Sequence, residues 1–207
     1  MDAADLPQRV RDEQTTELSR LGSSKSLYAD TGGDLEPGTV LAAAADAAHH
    51  AAETFEGWAA DGDDAVADAF ADVAATEREH ADAIAADLEA HEPGPAPAHL
   101  EHLAGLERDL DRVGGLLGWT LVLDRKTGQR SGFFTGQADP GTASLFRGFG
   151  DDHEAHRDGA LDLAASLAQD PEDLTAVVDA AVATIGAAYG EFVETLEDMG
   201  INPKPVC

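Results

Sequence analysis

Apolar residues return every three or four positions through most of the chain, and few stretches alternate with the period of two that strands require. This pattern predicts an all-α protein. A first helix is predicted over residues 6–28, ended by "TGGDLEPG", where Gly32, Gly33 and Pro37 break the period. Helices over 39–60 and 63–91 follow as an antiparallel hairpin, with "DGDD" as turn and N-cap and "EPGPAPA" as a short proline-rich linker behind it. The remaining helices are predicted over 99–126, 142–168 and 172–199, with "TGQRSGFFTGQADPG" as an irregular connection over 127–141. The expected organisation is one helical domain over 1–207: an N-terminal helix within 1–33, a hairpin over 38–91, a second helix pair over 97–168, a C-terminal helix over 171–199 and an extended tail over 200–207. Phe133 and Phe134, between glycines, are expected to close one end of the bundle.

Two predicted helices carry polar interruptions in their apolar stripes. On the third, Val66, Phe70, Val73, Ile84 and Leu88 share a face with Glu77 and His80; on the fifth, Phe146, Phe149, Ala160, Leu163 and Leu167 share one with His153 and His156. The offsets repeat, because each pair begins seven residues after a phenylalanine, Phe70 or Phe146, and has its second member ten residues after it. Burying a carboxylate and several imidazoles costs several kcal/mol unless each finds a partner. Glu77 can find one in His80 or on a neighbouring helix, or all four side chains can share a metal ion, since residues three apart project together from a helix.

A donor set of imidazoles with one carboxylate suits iron, zinc, nickel or copper rather than calcium or magnesium. On the first helix Leu6, Val10, Leu21 and Tyr28 form a narrow stripe containing Glu13 and Glu17, which become candidates to complete the site. His49 and His50 fall away from the stripe of Leu41, Ala44, Ala48, Ala51, Phe55 and Trp58; His91, His99 and His102 flank the proline linker, and all five are read as surface residues. "HEAH" at His153 lacks the spacing of the zinc-protease motif, and no phosphate loop, Ser-His-Asp order or paired-cysteine motif occurs.

Charge narrows the functions further. Against 41 acidic residues stand 13 lysines and arginines, giving a net charge of −28, with only Lys25, Lys126 and Lys204 as ammonium groups. Such a charge repels itself in dilute buffer, and molar salt, with a Debye length of about 3 Å, removes most of that repulsion. The balance reads as a halophilic, acidic surface. It opposes direct nucleic-acid binding, which draws its affinity from basic residues. With Cys207 as sole cysteine, no signal peptide and no run of about 18 apolar residues, a cytoplasmic protein without a membrane span is expected. An Ala-rich helical face makes a homodimer a candidate assembly.

The hairpin "ADAAHHAAETFEGWAADGDDAVADAFADVAATEREHADAI" and the later "LFRGFGDDHEAHRDGALDL" resemble the two halves of ferritin-like, rubrerythrin-type bundles. The resemblance implies an up-down bundle, here with additional N-terminal and C-terminal helices, around two metal ions held by a Glu on each of two helices and an ExxH on each of the other two. Glu77 and His80 match one ExxH, His156 matches the second His, and His153 stands where the second Glu belongs. The family's two other carboxylates fall at about Ala44 and near Thr120, so one ion, iron or else zinc or manganese, is expected rather than a di-metal pair.

"ELSRLGSSKSLYADTGG" and the "GINPKPVC" ending also look like a haloarchaeal group catalogued variously as rubrerythrin-family or transcription antitermination proteins. Two functions follow as expectations. One is a salt-adapted metal-binding bundle with weak iron or peroxide redox activity; the other is a non-catalytic, transcription-linked regulator with a degenerate metal site.

Overall fold

The computed structural model describes residues 2–62 and 64–204. Among them every regular element is helical: α1 (Leu6–Glu13), α2 (Thr15–Leu21), α3 (Ser24–Asp30), α4 (Pro37–Asp61), α5 (Asp64–Ala85), α6 (Ala98–Ala104), α7 (Asp109–Gly136), α8 (Pro140–Leu167) and α9 (Pro171–Asp198). Proline opens α4, α8 and α9, where its missing N–H costs no helical hydrogen bond. Asp139 and Asp170 cap α8 and α9 by accepting from backbone N–H groups of the first turn. The helices pack as two intimate pairs, α4 with α5 and α7 with α8; α5 touches α8, α4 touches α7, and α9 lies along α7.

Boundaries differ from the sequence expectation in three places, each for a physical reason. The first helix is three helices, because Gln14 leaves helical geometry and Gly22 and Ser23 turn the chain again. The breaks let the segment wrap over α7 and α9, burying Leu6, Val10, Leu18, Leu21 and Leu27 instead of one straight stripe. The third helix stops at Ala85 rather than near residue 91, since the following strap is pinned to α4: His91 Nε2 lies 2.5 Å from Asp46 Oδ1 and His50 Nε2 2.8 Å from Gly94 O.

The fourth helix is divided at Gly105 into α6 and α7, and α7 runs through the supposed connection to Gly136. Its buried face there is polar, which hid the helical period: Lys126, Thr127, Arg130 and Ser131 precede Phe134. The hydroxyls of Thr127 and Thr135 satisfy Leu123 O and Ser131 O, and Gly128 and Gly132 sit on the outer face with open space around them. The chain reverses at residues 137–139, where Ala138 adopts φ 59°.

Two apolar clusters fill the interior. In one, Phe55 meets Trp58 and Trp119 at ring-centroid distances of 5.1 and 4.9 Å, with Trp58 and Phe70 5.0 Å apart. The other holds Leu41, Ala44, Ile84, Phe134, Phe146 and Phe149, so Phe134 does help to close the bundle, with half-buried Phe133 packed beside it. The polar side chains of Glu77, His80 and His153 stand between these two clusters along α5 and α8.

By length and composition alone α9 is long and apolar enough to cross a bilayer, although polar residues interrupt its apolar run. Here its apolar side chains Val177, Ala181, Ile185 and Phe192 lie within the core. Of the tail, residues 201–204 are fixed by Lys25, whose Nζ donates to Asn202 O and Lys204 O, both at 2.7 Å. Cys207 lies outside the described residues.

Candidate metal centre

Glu77 and His80 project together from one face of α5, and His153 projects from the middle of α8 to meet them. All three are buried, with exposures of 2, 5 and 3%. Glu77 Oε1 lies 3.1 Å from His80 Nδ1 and 3.0 Å from His153 Nε2, so one carboxylate oxygen holds two imidazoles. One donor atom from each residue falls within 4.8 Å of the others. The imidazole rings stand nearly perpendicular with centroids 5.4 Å apart; Phe149 stacks on His80 at 3.9 Å and Trp119 meets the edge of His153 at 5.4 Å.

Electrostatics favour an ionised Glu77. Burial alone raises its pKa, but hydrogen bonds from His153 and His80 and their positive charge outweigh it and bring the carboxyl from 4.5 down to about 2. For His80 burial alone lowers the pKa, whereas Glu77 and then Asp152 overcome it and the net shift is upward. Asp30, buried beside Lys126 and Arg130, likewise titrates below its usual value, their charges outweighing the cost of burial.

The sign of the pH dependence follows from these two acids. A carboxyl with a depressed native pKa binds fewer protons folded than unfolded at acid pH, so its contribution is complete above the unfolded value and is lost as pH falls towards the native one. For Glu77 that window runs from 4.5 to about 2, and the shift corresponds to roughly 3 kcal/mol. Denaturant titrations of chelator-treated protein are therefore expected to show stability falling steeply below pH 4.5. Glu77→Gln should flatten that limb.

The other candidate residues lie elsewhere. His156 stands one turn beyond His153, half-buried, with Nε2 lacking a hydrogen-bond partner, but it is outside the close group; burial lowers its pKa. Glu13 is on the outer side of α1, paired with Arg9 at 3.0 Å, and Glu17 is half-buried at the start of α2. The break at Gln14 turns both away from the single stripe that placed them inward, and neither joins the group. A second group, His49, His50 and Glu53, occupies the solvent side of α4, with His50 already engaged by Gly94 O.

Sequence reasoning missed Asp152, a small cavity beside the group and the guanidinium of Arg130 that lines it. Asp152, its side chain half-exposed, places Oδ2 3.0 Å from His80 Nε2. A cavity of about 20 Å³ adjoins the group, large enough for one water-sized occupant. Ala44 lines it from α4 and α7 contributes Trp119, Leu123, Thr127 and Arg130, while the Thr120 hydroxyl donates to Leu117 O. Arg130 thus brings a buried guanidinium from α7 to the lining of this cavity.

Comparison with protein-family models, with curated proteins and with solved structures gives no match.

Proposed function

We propose that the chain is a ferritin-like bundle that binds one first-row transition-metal ion, ferrous iron in the first instance, through Glu77 Oε1, His80 Nδ1 and His153 Nε2. The observation that carries this reading is the convergence of two imidazoles and one carboxylate from two helices in a buried layer of the core. Two His and one carboxylate are the donors of many mononuclear ferrous sites, and zinc, which also accepts this set, is the competing ion. Donor separations of 3.0 and 3.1 Å are near the roughly 3.3 Å that tetrahedral bonds of about 2.0 Å require.

Asp152 strengthens the fit. By accepting from His80 Nε2–H, Asp152 would hold the ring in the orientation and tautomer in which Nδ1, once it gives up the proton it now donates to Glu77, can ligate a metal ion, the carboxylate–imidazole arrangement that orients metal ligands. One carboxylate beside Arg130 cannot neutralise two close dications, which supports a single ion. Bound iron would supply one-electron chemistry towards an oxidant. The chain itself buries the donors, excludes bulk water with Phe149 and Trp119, and sets His80's orientation.

Anaerobic titration with ferrous iron against a competing chelator tests this reading. One equivalent is expected to bind wild type, with affinity falling about 10- to 100-fold in Asp152→Asn. Equal affinity in Asp152→Asn would remove the orienting role, and no saturable binding to wild type would remove the metal. The acidic surface supports salt adaptation, so the thermal midpoint should rise from about 0.1 to about 2 M potassium chloride. A flat or falling midpoint would speak against it.

A further inference from the structure

A second cavity, about 270 Å³ in volume, opens between α3, α4, α7 and α9 beneath the strap at Pro95 and Pro97. Its position explains why reading His99 as a surface residue fails: His99 is 1% exposed and lines this cavity with both ring nitrogens lacking hydrogen bonds. Its nearest acid, Glu191 Oε2, is 3.7 Å from Nδ1, too long for a hydrogen bond. Burial holds the imidazole below its usual pKa, so near neutrality it is uncharged and offers one donor and one acceptor.

The cationic groups of the cavity are unusual in so acidic a chain. One of its three lysines, Lys126, is 8% exposed, and Arg130 is 5% exposed. Lys126 Nζ donates to Asp30 Oδ1 at 2.6 Å, which engages both charges. Arg130 approaches Asp30 only to 3.6 Å, leaving its planar array of donors beside the cavity without a hydrogen-bonded acceptor among the described residues. A desolvated guanidinium with unused donors best accepts a carboxylate or phosphate, in two parallel hydrogen bonds.

Ala43, Ala47, Leu123 and Phe192 form apolar walls around this polar end. We infer that the cavity binds a small organic carboxylate, its carboxylate on Arg130, its apolar body against these walls, and a polar substituent within reach of His99. The volume and apolar walls select an organic acid over inorganic phosphate, which would leave the walls bare. Arg130, Leu123 and Ala47 line both this cavity and the small one beside Glu77, so the ligand would sit next to the core cluster without touching it. The inference stands independently of metal binding.

Calorimetric titration of the full chain with benzoate, benzamide and inorganic phosphate provides the test. Saturable benzoate binding is expected, at least about tenfold tighter than benzamide or phosphate and at least about tenfold weaker in Arg130→Gln. Ala43→Phe, which fills the cavity from α4 and leaves every charged group in place, should abolish benzoate binding with helical content and metal content unchanged. No saturable benzoate binding would overturn the inference. Benzamide or phosphate binding as tightly as benzoate, or benzoate affinity unchanged in both variants, would overturn it equally.

Discussion

Replacing Glu77 with alanine is expected to destabilise the metal-free protein by about 3–5 kcal/mol, the range found when one partner of a buried ionic group is removed. Glu77 Oε1 is the common acceptor for His80 on its own helix and His153 on α8. Its loss leaves His153 with no hydrogen bond at either nitrogen, since Nδ1 already lacks one, and leaves His80 with Asp152 alone. Glutamine should cost less, about 1–3 kcal/mol, because its one carbonyl oxygen can still accept from both imidazoles but carries no charge to strengthen either bond. Denaturant unfolding of chelator-treated variants measures both. If Glu77→Ala costs under about 1 kcal/mol, the carboxylate does not tie α5 to α8.

Gly118→Leu is expected to be strongly disruptive on the side of α7 that faces α9. A Cβ at Gly118 would stand 2.5 Å from Ala181 O, 2.9 Å from Ala181 Cα and 3.0 Å from Thr184 Cβ, so backbone atoms of α9 block it. Relief requires α9 to move away from α7 by about 1 Å or more, opening the packing around Val177, Ala181 and Ile185. A loss above about 3 kcal/mol is predicted, at the upper end of overpacking costs. Gly128, ten residues further along the same helix, has nothing within 4 Å of its built Cβ. Gly128→Ala should therefore stabilise by up to about 1 kcal/mol through helix propensity alone. Thermal and denaturant unfolding of the two variants should move in opposite directions, and movement in the same direction would refute the assigned α7–α9 contact.

The matched offsets after Phe70 and Phe146 were legible because the interruptions fall within strong apolar stripes, and those stripes do place Glu77, His80 and His153 in the core. What was hidden is instructive. The end of α7 buries Lys126, Thr127, Arg130 and Ser131, so a pattern read from apolar residues alone ends too early and loses Arg130 from the site. Asp152 looked like one more acid on a solvated face, and only its approach to His80 Nε2 distinguishes it.

The N-terminal segment failed differently. Its apolar period predicts one straight helix through Gln14 and Gly22, and the two breaks there rotate Glu13 outward and leave Glu17 at the margin. The prolines flanking His99 suggest exposure, yet the side chain is buried. The strap they form instead covers a cavity that His99 lines.

Metal analysis by mass spectrometry, on wild type and His153→Ala purified side by side in high salt without added metal, tests the central claim most directly. The account predicts close to one transition-metal ion per wild-type chain and almost none in a folded His153→Ala variant. Wild-type protein free of metal that also takes up none on anaerobic addition of ferrous iron or zinc, or equal metal in both proteins, would contradict it.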